Sequence, residues 1–140
     1  MKKYFFSIIA IIGLLFTSCK EEKKAPEKRT QMQEVMAVHD EVMPKMSTIG
    51  TLISTLKPKI DTTATGMQYE AAVKDLQNAN TAMMDWMHGF GNSFDSDEIL
   101  DGKKLTPEKQ ALLDIEEEKV NEVANLMNTS IANAEALLKP

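Results

Sequence analysis

One cysteine, two histidines and one tryptophan are all that 140 residues hold of the side chains most used for redox, metal and aromatic chemistry. A lone Cys19 excludes intrachain disulfides, so stability has to come from packing. Aromatic residues make up 6% of the chain, which leaves the core to aliphatic side chains and ten methionines. No apolar run reaches membrane-spanning length; the longest, Tyr4 to Phe16, has the length of a signal-peptide core. Positive charge is also scarce, with a formal net charge of −5. No basic face is available to neutralise phosphates, and nucleic acid is excluded as a partner. There is no glycine-rich phosphate loop, no serine–histidine pair in a nucleophile setting and no Cys pair or His-x3-His spacing. The expectation is a protein that is not an enzyme.

What is present begins with Met1-Lys2-Lys3, a positive n-region ahead of the apolar run. That run closes on Leu15-Phe16-Thr17-Ser18-Cys19, which resembles a bacterial lipobox. Residues 1–18 then form a lipoprotein signal peptide, with Cys19 lipidated as the new N-terminus. Residues 19–29 form a charged, disordered tether, and residues 30–140 form a helical domain. Removing two of the 16 basic residues leaves 14 against 21 acidic ones, a net charge of −7. Lipid on Cys19 would hold the domain at a membrane. Lys20-Glu21-Glu22 is similar to the surface-export signal of Bacteroidota lipoproteins. Both a periplasm-facing and a surface-exposed place in the cell envelope, at the outer membrane, therefore stay open.

Hydrophobic periodicity predicts an all-α fold, an antiparallel bundle of three long helices. Thr30 with Gln33 makes a capping box, and the seam Met32, Val35, His39, Val42, Met46, Ile49, Ile53, Leu56 follows. Pro44 lies inside this helix, where it removes a donor from the Asp40 carbonyl and predicts a kink. A second capping box at Thr65 and Gln68 opens helix two, with the seam Tyr69, Val73, Leu76, Asn80, Met83, Met87, Phe90, Phe94. Its end is expected near Gly91, followed by a loop over 92–105. Acidic spacing in that loop, from Asp95 to Asp101, lacks the central glycine and closing glutamate of a calcium site. Thr106-Pro107-Glu108 starts helix three, whose seam is Leu113, Glu117, Val120, Ala124, Met127, Ile131, Ala134, Leu138. Its apolar face is broad enough to suit a homodimer or another envelope protein.

Both histidines stand among methionines, in Met36–Met46 and in Met83–His88. Pairing helices one and two antiparallel about a turn near residue 63 makes facing residue numbers sum to about 127. His39 then faces the Met87–His88 level, and Met43 faces Met84. Imidazole with thioether suits Cu(I), or haem iron in a helical bundle, so His39, Met43, Met84, Met87 and His88 are the candidate metal ligands. Asp40, Asp85 or Glu117 would orient an imidazole. The alternative is that the methionines fill the core and His39 is a seam histidine bonded within the chain, with no cofactor expected.

The segment Val38-His39-Asp40-Glu41-Val42-Met43-Pro44-Lys45-Met46, with Asp85-Trp86-Met87-His88-Gly89-Phe90, resembles a set of small uncharacterised flavobacterial lipoproteins. These are often labelled as similar to viral A-type inclusion protein. The resemblance covers the lipobox and the first two helices and implies an envelope lipoprotein without a stated activity. Leu105-Thr106-Pro107-Glu108 is similar to the LTxxQ motif of periplasmic helical chaperones, with Lys109 in place of its glutamine. A chaperone-like binder is thus a further reading.

Overall fold

Thr30, in extended backbone, caps the first helix: its hydroxyl accepts from the Gln33 amide, and Gln33 Oε1 accepts from Thr30 N–H at 2.9 Å. The computed structural model describes residues 29–139. The expected signal peptide, Cys19 and nearly all of the tether lie outside the described residues. Among the described residues every regular element is helical.

The expected kink is a break into two helices, α1 (Gln31–Val42) and α2 (Lys45–Leu56). Pro44 has no amide to give the Asp40 carbonyl, and the chain tightens there into short-range bonds, Met46 N–H to Met43 O at 3.1 Å among them. The apolar seam nevertheless crosses the break in phase. Val35, Val42, Ile49 and Leu56, each seven residues from the next, are all fully buried.

After a 3₁₀ turn at Lys57–Lys59 comes α3 (Ala64–Ser93). Its cap is Thr63, two residues before the expected Thr65. The Thr63 hydroxyl accepts from the Gly66 amide at 3.0 Å, and Asp61 Oδ1 accepts from Thr63 N–H at 2.9 Å. The Thr63 hydroxyl in turn donates to Asp61 Oδ1, and this bond first, then that from the Thr63 amide, holds the Asp61 carboxyl below its ordinary value. Gly66 is buried under this turn, and a Cβ there would lie 2.6 Å from the Asp61 backbone N and O.

The expected loop over 92–105 needs correcting. α3 runs to Ser93, and Asp95 with Glu98 forms a capping box for a short helix, α4 (Ser96–Leu100). Gly102, at φ 69°, turns the chain away from it. Thr106 and Pro107 then start α5 (Pro107–Leu138) as the sequence predicts.

α3 packs most extensively on α5, α1 on α5, and α2 on α3. Across α3 and α5, residue numbers run in opposite order, with Trp86 near Lys119 and Ala72 near Ala136. Across α1–α2 and α5 they run in the same order: Gln31 Nε2 donates to Asp114 at 2.9 Å and Lys45 Nζ to Asn128 at 2.7 Å. Fully buried Leu76 and Met83 from α3, and Leu113, Val120 and Met127 from α5, complete the core. Each such side chain contributes about 1.5–3 kcal/mol of burial free energy.

Candidate functional site

His39 on α1 reaches Met87 on α3, as the register predicts: His39 Nε2 lies 3.2 Å from Met87 Sδ. On the other side of the ring, Nδ1 lies 2.9 Å from Asp40 Oδ1. A carboxylate and a thioether are both acceptors, so the imidazolium form donates to both and the neutral ring to one. Neither neighbour restricts access completely, and the His39 side chain keeps 16% of its exposure.

The other proposed ligands differ in exposure. Met84 is 48% exposed and His88 is exposed on the same helix, while Met43 packs half-buried against the core. Asp40 occupies the orienting position expected of it. Asp85 lines a groove on another side of α3, and Glu117 accepts from Gln31 Nε2 at 2.6 Å. Among the described residues, no group of three or more His, Cys, Asp and Glu side chains is placed to hold a metal ion.

His39 also begins an aromatic column along α3. Its ring centroid lies 5.7 Å from Trp86, Trp86 stacks on Phe90 at 4.8 Å, and Phe90 meets Phe94 at 4.8 Å. Spacing of four residues on a helix puts these rings on one face. Lys109 closes the column, with Nζ 6.0 Å from the Phe94 centroid. The same ammonium pairs with Glu98, a carboxylate only 5% exposed, and lies 3.6 Å from Asp95. Lys109 and then the Asp95 amide hold the Glu98 carboxyl below its ordinary value of 4.5. Reciprocally, the bond to Glu98 raises Lys109 above its ordinary 10.5.

Trp86 and Glu116 are the residues that sequence reasoning missed. Trp86 is buried where the predicted seam had Met87, and Glu116 is buried where it had Glu117. The i, i+4 spacing of Trp86, Phe90 and Phe94 was the signal available for the first. Together they line a groove of about 300 Å³ between α3 and α5, with Ala82, Asp85, Gly89, Lys119, Glu122 and Val123. Glu116 Oε1 accepts from Lys119 Nζ at 2.8 Å. The Trp86 indole N–H is buried without a hydrogen-bond partner among the described residues. An unmet donor of that kind costs about 1–3 kcal/mol.

No family model matches this chain, and no curated protein or solved structure matches it.

Proposed function

We propose that this protein is a lipid-anchored, non-enzymatic module of the cell envelope: an antiparallel bundle of three long helices, the first broken at Pro44, held at the outer membrane through Cys19. The observation that carries this reading is the order of parts in the sequence. A lipobox ends at the single cysteine, a charged tether follows, and a helical domain starts at a capped Thr30. None of the helices among the described residues is long and apolar enough to cross a membrane. The similarity to small flavobacterial lipoproteins fits this reading and adds no activity to it.

The polar interior favours an interaction or structural role over catalysis. Glu98 is paired with Lys109, Glu116 with Lys119, and Ser130 Oγ donates to the Leu126 carbonyl. Groups committed in this way are not poised as acid, base or nucleophile. Ile115 and Leu126, 49% and 40% exposed on α5, lie within roughly 20° of each other around the helix and offer an apolar contact to a second copy or an envelope partner. Deleting Cys19 by Cys19→Ala should release the chain from the membrane fraction; retention there would refute anchoring through that residue.

The 3.2 Å approach of His39 Nε2 to Met87 Sδ favours a second reading, a Cu(I) site. Titration of the full-length chain in detergent with Cu(I) and with haem separates the two. The structural role predicts unchanged melting and spectra; saturable binding abolished by His39→Ala would replace it with the metal reading.

A further inference from the structure

One side of α5 is left free by the other helices. α1 and α2 bond to α5 through Asp114 and Asn128. Towards α3, Glu116 is buried and Val123 half-buried, while Lys119 and Glu122 stay exposed. At 3.6 residues per turn, Ile115, Lys119, Glu122 and Leu126 fall within roughly 60° of one another around the helix. Ile115 is 49% and Leu126 40% exposed, and the Lys119 side chain keeps 54% of its exposure. Their steps of four, three and four are those of a coiled-coil seam, which half-buried Leu112 and exposed Thr129 extend at either end.

This stripe is complementary to itself. A point between Val120 and Asn121 is equally distant along the helix from Ile115 and Leu126, and from Lys119 and Glu122. We propose that the protein is a homodimer, paired antiparallel through α5 about a two-fold axis crossing the helix at that point. Each residue then stands opposite its counterpart: Ile115 meets the partner's Leu126, and Lys119 meets the partner's Glu122. Lys119 Nζ donates to Glu116 Oε1 at 2.8 Å, and its remaining N–H groups are available to the partner's Glu122. Charge decides the orientation. Parallel pairing in register would set lysine against lysine and glutamate against glutamate, which repel. The dimer rests on the interaction role proposed for α5 and names its partner as a second copy. It does not depend on Cys19.

Cys19 is the only cysteine, so the full-length Cys19→Ala chain accepts single engineered cysteines, and its behaviour is independent of lipid anchoring. Sedimentation equilibrium in density-matched detergent should give twice the mass of one chain. Chains carrying Ile115→Cys and chains carrying Leu126→Cys are then mixed and oxidised with diamide. Antiparallel pairing predicts mixed disulfides at least tenfold over self-disulfides, because each cysteine lies about 16 Å along the axis from its own copy. Glu122→Lys, which leaves the Lys119–Glu116 bond in place, should weaken dimerisation at least tenfold. Lys119→Glu should do the same, and an equimolar mixture of the two variants should dimerise again, since opposite charges then face each other in both layers. Circular dichroism checks that each variant folds. A single-chain mass up to millimolar concentration, self-disulfides of Ile115→Cys forming as readily as mixed ones, or undiminished dimerisation of folded Glu122→Lys would each overturn the proposal.

Discussion

Two glycine-to-alanine substitutions should move stability in opposite directions, although both lie in α3. Gly89 is exposed, and a methyl group there meets nothing within 4 Å. Alanine at such a position stabilises a helix by about 0.5–1 kcal/mol, because glycine loses more backbone freedom on folding. For a domain of this size that corresponds to a rise of roughly 2–8 °C in melting temperature. At Gly66 the same methyl would lie 2.6 Å from the Asp61 backbone N and O, so the Asp61–Thr63 turn must move. The cost of such overpacking is about 1–3 kcal/mol, which outweighs the helix gain. The turn also carries the Thr63 cap, whose displacement adds to the loss. Thermal melting by circular dichroism of the two variants beside the parent chain gives both shifts. A Gly66→Ala variant that melts as high as Gly89→Ala would refute the close approach of the Asp61 turn to α3.

Further predictions concern the core and its ion pair. Leu76→Ala removes a fully buried side chain and should cost about 2–5 kcal/mol, measured by urea unfolding; a change under 1 kcal/mol would contradict its place in the core. Glu98 has its carboxyl lowered in the folded chain by Lys109, so its contribution is complete above the ordinary value of 4.5 and is lost as pH falls through the lower folded value. Glu98→Gln should therefore reduce stability at pH 7 and narrow its gap to the parent chain below pH 4.5; an equal gap at both pH values would remove the ion pair as the cause.

The helix starts at Thr30 and Thr106, and a disturbance at Pro44, expected as a kink and found as a break, were legible because they depend on side chains within four residues of the backbone groups they serve. The pairing of His39 with Met87 was legible because a short turn fixes the register of antiparallel neighbours. Other details depended on competition that local pattern does not resolve. Thr63 and Thr65 both offer a hydroxyl, and Asp61 decides between them by binding Thr63. Over a helix of 30 residues, a seven-residue repeat drifts against 3.6 residues per turn by roughly 20° each heptad, enough to exchange neighbours such as Met87 and Trp86, or Glu117 and Glu116. The burial of Glu98 was not legible, because its partner, Lys109, stands eleven residues away across a turn.

Lipidation of Cys19 is the central claim of the proposed function, and mass spectrometry of the mature chain from membranes tests it directly. A chain beginning at Cys19 and heavier by the mass of attached acyl chains is the expected result. A mature N-terminus elsewhere, or an unmodified Cys19 thiol, would contradict it.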